Sequence, residues 1–411
     1  MKRPGPSDLV DAAEAARRLG VRPATLYAYV SRGLIRAEAD PADPRRSRYR
    51  ADEIGRLASG RARGRSPGRA AAASLDWGLP VLTSAITLID GGRLYYRGQD
   101  AVVLAHTATL EETARLLWES SDDPFLPAPS VPPGWTAMAR AAAAAAPVAR
   151  AAGLLAFASD PPGAAAHRDP ARRRVAGADL LRRTTAAIAG GPPDATPIHR
   201  RLAAAWRAPV RDAELIRIAL VLMADHELNA STFAARVTAS TGAPLGACVT
   251  AGLAALSGPF HGGQTRRVQA LLAEAGTPAR TERALADRIG RGDPLPGFGH
   301  PLYPHGDGRA AALLDRLSAD PLVDAVRRTV DRLAGEAPNI DFALVALARA
   351  LRLPDDAPLS IFLVGRTAGW IAHALEQQAT GSLIRPRARY VGPPPEAAAI
   401  SSPARRRSRG P

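Results

Sequence analysis

From Leu75 to about Gly392 the apolar residues recur every three or four positions, a period that α-helices bury along one face. Leu110–Trp118, Leu215–Met223, Pro244–Leu256, Phe342–Leu351 and Leu359–Leu375 carry it, and Gly242, Gly258-Pro259 and Pro338-Asn339 punctuate it. The alanine run Ala139–Ala146 has the highest helix propensity and predicts a further helix without chemistry of its own. One stretch departs from the period: Ala85–Tyr96 (AITLIDGGRLYY) sets β-branched residues around Gly-Gly and predicts a small hairpin. A patterned region of about 320 residues can bury a large core, so the fold class is mainly α, without a fixed repeat.

Upstream lies a different kind of sequence. Residues 1–58 form a compact patterned unit, and 59–74 (SGRARGRSPGRAAAAS) read as an Arg/Gly/Ala linker. The helical region then spans 75–392, and 393–411 is too poor in apolar residues to fold and reads as a disordered basic tail. The 46% hydrophobic and 23% charged content is that of a globular protein. The lone Cys248 excludes a disulfide framework or a Cys-based zinc site. No apolar run approaches the roughly 20 residues of a membrane span, and MKRPGPSDLV lacks a signal-peptide core. A cytoplasmic protein is expected.

The net charge is +15, which invites nucleic acid as a partner. Lys2 is the single lysine among 54 basic residues, so much of this charge reflects a bias towards arginine and alanine, and its location is the better clue. The clusters are Arg45–Arg50, Arg61–Arg69 and Arg405–Arg409. Near the first of them, Val10–Leu19 has helical spacing and stops at Gly20. A second helix starts at Pro23-Ala24-Thr25, runs through Tyr27, Tyr29 and Val30 and ends by Gly33. Two short helices around a tight turn form a helix-turn-helix. Leu34–Arg50 would be a hairpin wing, and Ala51–Leu57 a closing helix. The strings EAARRLGVRPATLYAYVSRGLI and RRSRYRADEI resemble the winged helix-turn-helix of MerR-type regulators and excisionases. The resemblance makes Arg22, Thr25, Tyr27, Arg32, Arg48 and Arg50 the candidate DNA contacts, with a protein-docking module as the alternative.

The eight histidines are scarce enough for their placement to matter. His226 sits in ADHELNAST, His261 in GPFHGG, His300 in GFGHPLYP, and Asp341 in PNIDF, each beside glycine, proline or asparagine at an expected element end. Arg309, Arg366 and Arg385 follow; arginine forks bind carboxylates bidentately, so the set implies a di- or tricarboxylate ligand. A carboxylate base with neutral imidazole donors suits proton abstraction beside a carbonyl. A metal site is the competing use of three histidines, but no pair has the i, i+4 spacing of a helical zinc motif. Trp370, Phe362 and His373 read as core and structural residues.

In order along the chain, SAITLIDGGRLYYRGQD, ADHELNAST, GPFHGG, GFGHPLYPHGDGRA, PNIDF, GRTAGWIAHALEQ and RPRARYVG resemble the motifs of citrate synthases across residues 75–392. The resemblance implies a nearly all-α fold of a large and a small domain, the latter roughly 210–335, and a homodimer whose cleft closes on substrate. It also implies acetyl-CoA and oxaloacetate as substrates and neither cofactor nor metal. Asp341 would deprotonate the acetyl methyl group, His261 would hold the thioester carbonyl, and His300 would polarise the ketone of oxaloacetate. His226, Arg309 and Arg366 would bind oxaloacetate, Arg385 would arrive from the partner subunit, and Arg387 and Arg389 are candidates for CoA phosphates.

Three departures bear on affinity and substrate choice. Pro301 stands where the family usually has arginine, Asp307-Gly308-Arg309-Ala310 replaces the usual DPRA, and Gln264-Thr265 replaces the common Ala-Asn. A propionyl-CoA (2-methylcitrate) preference stays open, since one CH₂ is worth only about 1–3 kcal/mol. A DNA-binding regulator whose body senses a metabolite also stays open, although a sensor needs no proton-abstracting base.

Overall fold

The computed structural model describes residues 9–19, 26, 30, 35–40, 43–51, 53–54, 82–157, 169–388 and 390–393. They fall into two compact units, residues 1–83 with 385–411, and residues 84–384.

In the first unit β1 (Leu9–Val10) precedes α1 (Ala12–Leu19), followed by β2 (Ala37–Asp40) and β3 (Asp43–Arg50). The strands form an antiparallel sheet in the order β1-β3-β2. Val10, expected in the first helix, instead pairs with Tyr49 in the sheet. The reason is a cap: the Asp11 carboxylate accepts the Glu14 N–H at 2.8 Å, so α1 starts only after Asp11. Ala15, Ala16, Leu19, Leu26, Ile35, Tyr49 and Ile54 build a small core of their own. Of the expected second helix only Leu26 and Val30 are described, and of the closing helix Ala51, Glu53 and Ile54, all helical. The linker 59–74 lies outside the described residues, as does the tail beyond Pro393.

The second unit opens with a meander, β4 (Thr87–Asp90), β5 (Arg93–Tyr96) and β6 (Gln99–Asp100). The expected Gly91-Gly92 turn joins β4 to β5, with φ of 55° and 76°, values that only glycine adopts freely. Helices follow: α2 (Ala101–Thr107), α3 (Leu110–Leu117), α4 (Trp135–Ala141), α5 (Pro147–Phe157), α6 (Pro170–Ala189), α7 (Ile198–Ala205) and α8 (Ala213–Leu222). Then come α9 (Ala230–Ser240), α10 (Leu245–Leu256), α11 (Gln264–Ala275), α12 (Pro278–Gly290), α13 (Gly308–Leu314), α14 (Pro321–Ala334), α15 (Ile340–Ala350) and α16 (Ala357–Thr380).

The alanine run does not form one helix. α4 stops at Ala141, a turn follows, and Pro147 opens α5. Proline keeps the residue before it out of the α region and suits the first helical position, so it overrides the propensity of the alanines.

The axis of this unit is α16, buried along most of its length and packed against α3, α6, α8, α9, α10 and α15. Its small residues let neighbouring backbones come close. A Cβ on Gly365 would lie 2.9 Å from the Leu220 carbonyl oxygen, and one on Gly369 would lie 2.5 Å from that of Ala224 and 2.3 Å from the Asp225 carboxylate. The Gly369 N–H donates to the Ala224 carbonyl at 2.9 Å, tying α16 to the segment that follows α8. Among the described residues no helix is long and apolar enough to cross a membrane.

Replacing Gly369 by Ala should therefore overpack this contact and cost about 1–3 kcal/mol. A denaturant midpoint unchanged from the parent would contradict the close approach.

Candidate active site

Two segments distant in sequence meet before either functional side chain is reached. Phe298 and Pro338 form an antiparallel bridge, the Gly299 N–H donates to the Ala337 carbonyl (2.9 Å), and the Asn339 N–H donates to that of Gly297 (2.8 Å). The Asn339 side chain caps α15 through the Asp341 N–H (3.1 Å) and donates to the Gly299 carbonyl (3.0 Å). His300 thus follows one side of this bridge and Asp341 the other. Space is tight there: a Cβ on Gly297, whose φ is 87°, would sit 2.7 Å from Val268.

Asp307 joins a third group to the pair. Its carboxylate takes both forks of Arg309, Nε at 2.9 Å and one terminal nitrogen at 2.8 Å, and also accepts the Ile340 N–H at 3.0 Å. Burial works against ionisation of Asp307, but Arg309 outweighs it and holds the carboxyl below its usual range. Arg309 is only 3% exposed. Arg366, 2% exposed on α16, stacks on Phe362 at 4.8 Å and donates through Nε to the Met223 carbonyl (3.0 Å). Its two terminal nitrogens have no hydrogen-bond partner among the described residues. Burial disfavours its charge, and Asp225 partly restores it.

Asp341 stands next to these charges. Its Oδ1 is enclosed and lacks a hydrogen-bond partner. Burial pushes its carboxyl up to about 6 against the opposing pull of Arg309 and Arg366. An orphaned carboxylate oxygen with that affinity for protons has the character of a base.

The three histidines are all kept neutral by burial, reinforced by nearby arginines. His261 and His300 are lowered to about 4, and His226 lies well below its ordinary value. Each has one ring nitrogen held by the protein. The Leu302 N–H donates to His300 Nδ1 at 3.1 Å, leaving the ring proton on Nε2. His226 Nε2 meets the Tyr303 hydroxyl at 2.8 Å, and His261 Nε2 meets the Ser231 hydroxyl at 2.8 Å. The His226 and His300 rings lie edge to face, 5.3 Å apart, and His261 meets the Phe362 edge at 5.7 Å.

Ser231 is itself held by Trp370 Nε1, which donates at 3.1 Å, and by the Asn229 amide oxygen at 2.7 Å. Asn229 caps α9 and donates to the His226 carbonyl (3.3 Å), so one residue holds both His226 and Ser231, the partner of His261. The loop bearing His261 turns back sharply, with the Gly262 N–H on the Leu256 carbonyl at 3.0 Å; a Cβ there would lie 2.3 Å from that oxygen. Behind His226, Asp225 accepts from Thr87 (2.6 Å) and pairs with His373 (3.2 Å).

Six expected site residues, His226, His261, His300, Arg309, Asp341 and Arg366, therefore come together in the second unit. Arg385 and Arg387 are exposed residues of the first unit, and Arg389 lies outside the described residues. Arg22, Thr25, Tyr27 and Arg32 also lie outside them, whereas Arg48 and Arg50 are on β3. His373 and Trp370 are core residues as read, but Phe362 also touches His261 and Arg366. Asp307, Tyr303, Ser231 and Asn229 were missed; only the caps Asn229 and Asp307 left a sequence signal, an Asx residue just before a helical run. Among the described residues no cluster of His, Cys, Asp and Glu is arranged to hold a metal ion.

The family model described as citrate synthase, C-terminal domain, matches residues 74–387. Citrate synthase 2 of Bacillus subtilis is 38% identical over 192 residues, 44% of this chain and 52% of that protein. The 2-methylcitrate synthase of Shewanella oneidensis is 33% identical over 208 residues, 48% and 54% of the two chains. The chain spans about half the length of these curated relatives. The crystal structure of citrate synthase from Thermotoga maritima aligns with a TM-score of 0.64 at 25% identity, over 80% of this chain and 98% of that one. With most of its length matched and the site residues gathered on the expected helical fold, the chain belongs to the citrate synthase family.

Proposed function

We propose that the protein condenses acetyl-CoA with oxaloacetate and water to give citrate and CoA. The observation that carries this reading is the enclosed Asp341 carboxylate with its unpartnered oxygen, beside neutral imidazoles and two buried guanidiniums. Asp341 takes a proton from the acetyl methyl group, and the C–H pair becomes the enolate. His261 donates to the thioester oxygen, which requires its proton on Nδ1 and therefore a turn of the Ser231 hydroxyl, so that its proton passes from the Asn229 amide oxygen to His261 Nε2. The enol carbon attacks the ketone of oxaloacetate while His300 donates to the ketone oxygen from Nε2. Arg309 and Arg366 hold the carboxylates, and water then cleaves the citryl thioester, releasing CoA.

The terminal nitrogens of Arg366, without a hydrogen-bond partner among the described residues, support a carboxylate ligand, which a guanidinium fork binds through two N–H groups. Arg385 of a partner subunit would complete the anion site in a homodimer. The identity to a protein named 2-methylcitrate synthase supports testing propionyl-CoA beside acetyl-CoA.

The first unit is proposed as a winged helix-turn-helix head that contacts DNA. Tyr49 is buried in its core, so Arg48 and Arg50 share the opposite face of β3. Arg48 spends one nitrogen on Asp40 at 2.9 Å, which lowers its share of any phosphate contact.

Thiol release with oxaloacetate plus either acyl-CoA should be readily measured, and Asp341→Asn should lower it by about 10²–10⁴. A variant at parental rate would overturn the assignment of the base. Because the base must be ionised, kcat/KM should fall as pH drops through about 6, tenfold per unit. His261 and His300, near 4, would titrate well below that limb. DNA affinity, read by fluorescence anisotropy, should weaken steeply as salt rises from 50 to 200 mM. Affinity that is undetectable or independent of salt would remove DNA as a partner.

A further inference from the structure

We infer that Tyr303 is a positioning residue: its hydroxyl donates to Nε2 of His226 and thereby forces the imidazole proton onto Nδ1, making His226 a donor towards oxaloacetate. The inference rests on the condensation reading for its ligand, but its geometry stands apart from that reading.

Tyr303 is only 2% exposed and fixed on every side. Its own N–H donates to the His300 carbonyl at 2.9 Å, and its carbonyl accepts the Gly306 N–H at 3.0 Å, so the backbone turns around it. The phenol ring lies against the His300 ring at 5.0 Å, and the Arg309 guanidinium stacks on it at 5.0 Å. Swinging the hydroxyl away from His226 would break both contacts.

Hydrogen-bond accounting then sets the direction of the 2.8 Å contact. A neutral imidazole has one donor and one acceptor, and a phenol has one proton to give. If Nε2–H donated to the hydroxyl, the phenol proton would have no acceptor among the described residues, and the Nδ1 lone pair would be left for the ligand. Oxaloacetate offers only acceptor oxygens at neutral pH, so that lone pair would repel it. With the phenol donating, both groups are satisfied and Nδ1–H is left to donate. Nδ1 has no hydrogen-bond partner among the described residues. The doubly protonated ring, which would donate from both nitrogens, is opposed by burial and by Arg309 and Arg366. The choice between the two neutral tautomers therefore falls to Tyr303.

The test reads the tautomer directly. The full-length protein is labelled with ¹⁵N in its histidine rings, and two-bond ¹H–¹⁵N correlations are recorded, with His226→Asn identifying the His226 signals. The Nδ1–H tautomer is expected in the parent, and Tyr303→Phe should move His226 towards Nε2–H. In steady-state assays Tyr303→Phe should raise the KM for oxaloacetate about tenfold, as loss of one well-placed hydrogen bond does, with the KM for acetyl-CoA little changed. An Nε2–H tautomer in the parent, or an unchanged tautomer in Tyr303→Phe, overturns the inference. If Tyr303→Phe does not fold, the parent spectrum alone decides. An Nδ1–H parent that releases no thiol would leave this assignment standing and remove the condensation reading instead.

Discussion

The Asp307 carboxylate ties the site together. Its oxygens hold the Arg309 fork, the N–H of Ile340 and, through the Arg309 N–H at 3.1 Å, the start of α13. A buried ion pair is worth little compared with apolar packing of similar volume, but removing one partner is expensive, about 3–5 kcal/mol. Here that cost has a spatial meaning. The segment carrying His300 and Tyr303, the guanidinium of Arg309 and the first turn of the Asp341 helix all depend on one buried anion, so they keep a common frame. The backbone bridge between Phe298 and Pro338 supports the same frame from its other side.

Within that frame the three imidazoles follow one design. Burial keeps each neutral, and each has one nitrogen tied to a donor or hydroxyl of the protein: a backbone amide for His300, a serine for His261 and a tyrosine for His226. The amide at His300 Nδ1 can only donate, so it sets that ring's tautomer outright, whereas a hydroxyl sets one through where its single proton goes. Asp341 is the counterpart, a carboxyl whose environment raises its proton affinity while the histidines lose theirs. Titratable groups driven in opposite directions by neighbouring environments are how acid and base roles become separated in one crevice.

Much of this was legible in the sequence. The helical period located the helices bearing Arg366 and Asp341, and glycine, proline and asparagine marked the element ends where the histidines lie. What could not be read were residues acting through other residues. Tyr303 looks like an ordinary core aromatic, and Ser231 like any serine in the first turn of a helix; their roles exist only once α9, α10 and the His300 segment have packed. Local errors had local causes. Asp11 began α1 later than the alanine and leucine spacing implied, and Pro147 divided an alanine run that propensity alone would join.

The bare flank of α16 has one more consequence. Where Gly365 and Gly369 press against the backbone around α8, the helix can neither roll nor slide without collision, and Arg366 lies between those two contact points. The angle at which its guanidinium enters the crevice is thus inherited from the interior and cannot be tuned independently. Sequence drift in this part of the core is answerable to ligand capture, and a lesion there surfaces to an enzymologist as weakened saturation as well as to a calorimeter as a softer protein.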